Sequence, residues 1–261
     1  MLSDWEKSEF STTEVDGKPL AHDVYTKGTG PVVLIIQELP GIGTETKRLA
    51  DKLIAAGFTV VLPHLFGPIG RLSMVGNLAR VFCMRREFSL FAKHRTSPVV
   101  NWLRALCKDL KAQHQIEGVG VIGMCLTGNF AISLMADEAV LGAVASQPSL
   151  PLGSNPSLHM SPDDIQEIRG AIDKKGAMHA YRFAGDKLCT PAKFESLNTA
   201  FNDDAERIKL THVEGSKHSL LTVHFIDEAG SPTSEALGEV ISYFGDRLSK
   251  RSATDAPAPT G

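Results

Sequence analysis

No stretch of this chain approaches about 18 consecutive apolar residues, so no membrane-spanning helix is expected. The start, Met1-Leu-Ser-Asp-Trp-Glu-Lys7, is polar and charged and lacks an apolar signal core. Excess positive charge is also missing. Lysine and arginine number 27 against 30 acidic residues, a formal net charge of -3, which argues against a phosphate backbone as partner. The densest basic cluster, Arg85-Arg86 with Lys93 and Arg95, is short; it reads as a solvated helix or lid face, or more sharply as a local anion-binding patch. Cysteine is sparse, with four residues: Cys83, Cys107, Cys125 and Cys189. No two of them stand two or three positions apart, which argues against a zinc ribbon or a CxxC redox site. There is no internal repeat. A soluble cytoplasmic chain with free thiols, and with no nucleic-acid or membrane partner, is the expectation.

What is present is ordinary globular material, 43% hydrophobic and 22% charged, enough for a large core in 261 residues. Residues 1–30 are polar and glycine-dotted, with short strands expected near Ser8–Val15 and Pro19–Thr26. Pro31-Val-Val-Leu-Ile-Ile36 is a continuous, β-branched run suited to a strand buried on both faces. Thr44 is positioned to cap a helix to about Ala56, Gly57 ends it, and Phe58–Leu62 forms the next strand. Residues 63–96 lack clean periodicity and read as an elaborated connection over a binding site. Ser97-Pro98 opens a helix to Leu110. Strands are expected at 118–122, 140–145, 178–183 and 208–212, and helices at 126–136, 162–175, 191–200 and 235–248. This alternation predicts one domain over residues 31–248, an α/β fold whose mostly parallel central sheet is covered by helices on both faces. Residues 249–261, rich in serine, proline and alanine, read as a disordered tail.

The chemistry concentrates at Gly118-Val-Gly-Val-Ile-Gly-Met-Cys-Leu-Thr-Gly128. It reads as a buried strand, a sharp glycine-flanked turn with Cys125 at its apex, and a helix. That is the layout of a nucleophile elbow with cysteine in place of the usual serine. A thiol at a helix start is favoured as its anion by aligned amides. The Leu126 amide is placed to meet a developing oxyanion, and Leu39, in the loop after the first central strand, is placed to give a second donor.

A thiol nucleophile needs a base, and the base needs an orienter. In an open parallel sheet the site lies past the carboxyl ends of the strands. Asp186, in Phe183-Ala-Gly-Asp186, and His218, in Val213-Glu-Gly-Ser-Lys-His218, both fall there, in the chain order nucleophile, acid, histidine. His212 and His224 are explained by a strand end and a helix. His64 follows Leu62-Pro63 and is kept as a candidate for the pocket wall. Cys83, Cys107 and Cys189 lack the elbow context and read as structural.

On these residues the chain resembles the dienelactone hydrolase family of α/β-hydrolases, from about Pro31 to Leu248. The family's Gly-x-Cys-x-Gly-Gly elbow is matched by Gly123-Met-Cys125-Leu-Thr-Gly128. The resemblance implies an α/β-hydrolase fold and a Cys125–Asp186–His218 triad. It implies Glu38 as the glutamate that contacts the resting thiol and takes part in its activation, and an oxyanion hole at the amides of Leu39 and Leu126. Two positions depart. Thr127 replaces a glycine where strand and helix approach closely, so the turn opens or the threonine lines the pocket. Thr222 stands where the family has a carboxylate-binding arginine, and Arg80, Arg85 or Arg86 could supply a second arginine.

The implied function is hydrolysis of an ester or lactone through an acyl-thioester, without metal or organic cofactor. Two alternatives stay open: a broad carboxylesterase that does not act on dienelactone, and a non-catalytic small-ligand binding protein on the same fold. The helix at 162–175 reads as an insert over the pocket or at a subunit contact, with a homodimer left open.

Overall fold

The computed structural model describes residues 1–13, 19–39, 41–70, 98–149, 156–158 and 160–249. Among them, eight strands form one sheet: β1 (Glu6–Thr13), β2 (Pro19–Lys27), β3 (Val32–Ile36), β4 (Thr59–Pro63), β5 (Val119–Met124), β6 (Val140–Ser146), β7 (Met178–Phe183) and β8 (Ile208–Val213). Their order is β1-β2-β4-β3-β5-β6-β7-β8. The first two pairings, β1 with β2 and β2 with β4, are antiparallel, and all others are parallel.

The continuous apolar strands are legible in the packing. Along β3, Val32, Leu34 and Ile36 point to one face and Val33 and Ile35 to the other, and all five are fully buried. The first face carries α2 (Pro98–His114), α3 (Leu126–Leu134), α4 (Pro162–Lys175) and α5 (Pro191–Phe201). The second carries α1 (Thr44–Ala55) and α6 (Pro232–Ser249). A strand buried on both sides contributes about 1.5–3 kcal/mol for each large aliphatic side chain removed from water. This is the α/β-hydrolase arrangement, a mixed, mostly parallel sheet covered on both faces.

Two expectations are corrected. Gly43, not Thr44, is the N-cap of α1, and it makes no side-chain cap bond; Thr44 is the first helical residue and its hydroxyl turns to Glu45 instead. Helix α4 is the ordinary crossover joining parallel β6 to β7 rather than an insert. Ser161 and Asp164 close its start in a reciprocal capping box. At its end, the Lys175 ammonium donates to the carbonyls of Met135 (2.7 Å) and Asp137 (2.6 Å), placing a cation at the carboxyl end of α3.

The topology fixes where a site can form. From β3 the chain turns outward to β4, then crosses back to β5 on the other side, so β3 and β5 flank a switch point. Ile36 is in register with Gly123. The segments after β3 and β5, which carry Glu38 and Cys125, therefore leave the sheet side by side. Phe183 is in register with Val213, which brings the loops after β7 and β8 together at the same edge. Among the described residues, no helix is long and apolar enough to cross a membrane.

Candidate active site

Cys125 joins β5 to α3 with φ 57° and ψ -122°, a left-handed conformation that is costly for a residue with a side chain. Three backbone bonds hold it. Its N–H donates to Ser146 O (3.0 Å), and its carbonyl accepts from Gly128 N (3.1 Å) and Ser149 N (3.1 Å). Gly123 is required by contact: a Cβ there would lie 2.1 Å from Thr127 O. Cys125 is 6% exposed.

Thr127 sits inside the turn. It is buried, and its hydroxyl accepts from Met124 N (2.9 Å) while donating toward the carbonyls of Met124 (2.9 Å) and Ile36 (3.2 Å). One hydroxyl thus laces the end of β5 to the end of β3. Thr127→Val keeps the shape but removes the hydroxyl's bonds to the Met124 amide and to the Met124 and Ile36 carbonyls, so a loss of about 1–3 kcal/mol is expected. For a chain of this size that lowers the thermal midpoint by about 2–4 °C per kcal/mol. Thr127→Ser should retain most of the stability, and an unchanged midpoint in the valine variant would rule out the lacing role.

Asp186 follows β7 and is buried. Its Oδ1 accepts from the amides of Leu188 (2.8 Å) and Cys189 (3.1 Å), and its Oδ2 from His218 Nδ1 (2.8 Å). The two loops are pinned together by Gly185 N donating to Gly215 O (2.8 Å). Arg182, buried beneath them, braces the Asp186 loop by donating to the carbonyls of Cys189 (2.6 Å), Ala184 (3.1 Å) and Asp186 (3.2 Å). The other nitrogen of His218, Nε2, is buried and has no well-formed hydrogen bond among the described residues. Burial opposes charge on this imidazole. The Asp186 hydrogen bond and the adjacent Cys125 sulfur outweigh that opposition and push its pKa up to about 10. The sulfur is therefore close enough to couple to His218.

Glu38 sits in a closed polar cluster. Its carboxylate accepts from the hydroxyls of Thr222 and Ser219 (3.0 Å) and, at the distance limit, from Gln147 Nε2 (3.5 Å). Burial, chiefly, raises its pKa; the Thr222 and Ser219 hydrogen bonds, the His218 charge and Gln147 partly offset this. Gln147, at φ 37°, reaches this cluster from the end of β6, and its Oε1 accepts from Ser146 Oγ and Leu220 N (3.4 Å).

The dienelactone hydrolase family model matches residues 21–248. The chain belongs to the dienelactone hydrolase family. Solved structures of similar fold include a dienelactone hydrolase-like promiscuous phosphotriesterase from metagenomic libraries. It shares 14% identity over 93% of this chain and 99% of that one, with a TM-score of 0.65. A cold-adapted esterase from an Arctic intertidal metagenomic library matches at 15% identity, over 94% of this chain and 95% of that one, with a TM-score of 0.63. An esterase of Pyrococcus furiosus matches at 13% identity, covering 96% and 94%, with a TM-score of 0.54. At these identities the likeness is one of fold. No curated protein is significantly similar in sequence.

Against the family pattern, the hydrogen bonds of Glu38 run to Thr222, Ser219 and Gln147, while the sulfur of Cys125 contacts Ser149 Oγ at 3.4 Å. Thr222, where the family has arginine, is committed to Glu38 through its hydroxyl, and its carbonyl accepts from Arg48 Nη2 (2.5 Å). Leu39 and Leu126 are buried, and Leu126 opens α3, so its amide lies in the first turn, where N–H groups lack intrahelical partners. His64 is half-buried and its ring faces Gly67 O. Arg80, Arg85, Arg86 and Cys83 lie outside the described residues.

Of the remaining thiols, Cys107 and Cys189 are fully buried, and that burial, above all, raises both, Cys189 to about 12. Among the described residues, no group of three or more histidine, cysteine or acidic side chains is disposed to hold a metal ion. Four polar residues at the site were not singled out from the sequence: Gln147, Ser149, Ser219 and Asn129. Gln147 and Ser149 follow β6 directly, so the strand-end rule that picks out Asp186 applied to them as well.

Proposed function

We propose that this protein hydrolyses carboxylic esters or lactones through a Cys125 thiolate and an acyl-thioester. The observation that carries the reading is the relay at one sheet edge: Asp186 Oδ2 accepts from His218 Nδ1 at 2.8 Å, and the opposite ring nitrogen is left open beside an elbow cysteine. His218 takes the thiol proton on Nε2, and Asp186 supports the resulting imidazolium. The thiolate attacks the carbonyl carbon, forming the C–S bond as the carbonyl pair moves to oxygen. The amides of Leu39 and Leu126 receive that oxyanion. Collapse breaks the ester C–O bond, and the leaving alkoxide takes the proton from His218. Water then attacks the thioester as His218 accepts its proton. Breaking the C–S bond releases the acid and restores the thiolate.

Within this class, the Thr222–Glu38 bond favours a carboxylesterase over an enzyme that recognises a substrate carboxylate. A threonine hydroxyl already held by a buried acid offers no bidentate cation at that position. Comparing a carboxylated dienelactone with its neutral ester analogue tests this. The expected kcat/KM values lie within about tenfold of each other, about 1.4 kcal/mol in transition-state binding. A larger preference for the acid would restore the dienelactone assignment, and absence of turnover on any ester or lactone would favour the ligand-binding alternative.

A further inference from the structure

No step of this hydrolysis uses Ser149, yet its hydroxyl lies 3.4 Å from the sulfur of Cys125 and both residues are buried. It is also held in place on several sides. Its N–H donates to Cys125 O (3.1 Å), so its backbone is tied to the nucleophile's own. Its carbonyl accepts from Asn129 Nδ2 (3.2 Å), and the same amide nitrogen donates to Leu126 O (3.2 Å). Asn129 is fully buried one turn along α3 from Cys125, so it fastens the β6 loop to the elbow helix. Pro148 rests against Gly128, where a Cβ would lie 3.0 Å from its Cα. Ser149 is therefore as fixed as the elbow it faces.

We infer that Ser149 donates a hydrogen bond to the Cys125 thiolate and acts with His218 to keep the sulfur ionised and aimed. This rests on the proposal that Cys125 is the nucleophile. A thiolate can only accept, so a hydroxyl at this distance must donate to it. The need is physical: a cysteine that is 6% exposed as a residue leaves its sulfur little water to solvate a charge. His218 supplies opposite charge but no well-directed bond to it. The hydroxyl supplies the missing directional contact. When the sulfur carries an acyl group it is a poor acceptor and the contact weakens. When the thioester collapses the contact re-forms, so Ser149 assists the thiolate as leaving group in the second half of the cycle.

The test is the pH dependence of Cys125 alkylation by iodoacetamide, read by mass mapping, beside steady-state turnover. A hydrogen bond to the charged form lowers a pKa. In Ser149→Ala the midpoint of the alkylation profile is expected to rise by about 0.5–1 pH unit, with the rate below the midpoint falling about 3–10-fold. The high-pH plateau should hold or rise slightly, because a more basic thiolate is the better nucleophile. Turnover should fall mainly in kcat, and Ser149→Thr should restore the wild-type midpoint. Asn129→Ala should reproduce part of the shift, and combining it with Ser149→Ala should add little. A merely structural serine would change the melting temperature and leave the midpoint where it was. A folded Ser149→Ala protein whose midpoint matches wild type within about 0.2 unit overturns the inference. The outcomes for the underlying proposal are separate: alkylation of wild type mainly at another cysteine, or turnover that survives loss of Cys125, would overturn that proposal as well.

Discussion

Cys125→Ala is expected to lower turnover of an activated short-chain ester by at least about 10⁴-fold while leaving the chain folded. Removal of a nucleophile from a triad that acts as a unit costs about 10⁶ in kcat in other hydrolases, with residual catalysis from the oxyanion hole and binding alone. The fold should tolerate the change. Among the described residues the side chain meets Ser149 and His218, while three backbone bonds independent of it maintain the elbow. Alanine at φ 57° bears the same strain as cysteine there, so the expected loss of stability is about 1 kcal/mol. The variant should also lose selective alkylation. Cys107 and Cys189, held up by burial, should not replace it. Circular dichroism and a thermal melt establish folding, and ester turnover within about tenfold of wild type would refute the nucleophile assignment.

The parts of this site that could be read from the sequence are those fixed by local chain rules. A run such as Val32–Ile36 can bury both faces only inside a sheet flanked by helices, and its residues do divide between two cores. Cys125, Asp186 and His218 stand past strand ends, and the parallel sheet delivers those ends to one edge. The surrounding polar cluster depends instead on meetings between distant segments. Glu38 and Thr222 are 184 positions apart, and no periodicity announces that they will share a hydrogen bond. Gln147 and Ser149 belong to a proline- and serine-containing stretch whose composition suits an ordinary turn. Thr127 shows a further limit. Sequence reasoning sees a β-branched side chain crowding a tight approach, but the structure uses its hydroxyl to bond both neighbouring strand ends. The same holds for Thr44, a good capping residue displaced one position by the backbone of Gly43.

Asp186→Asn should be the second most damaging change, lowering kcat by about 10³–10⁴-fold with little change in the amide contacts of the loop. The replacement oxygen can still accept from the Leu188 and Cys189 amides, which Oδ1 holds now. The amide nitrogen then faces His218 Nδ1, where Oδ2 accepts at present. A donor there forces Nδ1 to accept, so the ring proton moves to Nε2, the atom proposed to take the thiol proton. The base is thereby disabled without moving. The imidazolium also loses its main support, and the His218 pKa should fall well below its present value of about 10. The consequence for stability has a definite sign. Because the folded pKa lies above the ordinary histidine value of about 6.5, this group stabilises the wild type fully below that pH and progressively less as pH rises through 10. The variant lacks most of that contribution, so its stability deficit should be widest near pH 6 and should narrow toward pH 10. Denaturant unfolding of both proteins at three pH values across this window measures the gap. A gap constant with pH would show that the His218 charge is not held by Asp186. A kcat within about tenfold of wild type would show that the Nδ1 contact does not set the working tautomer.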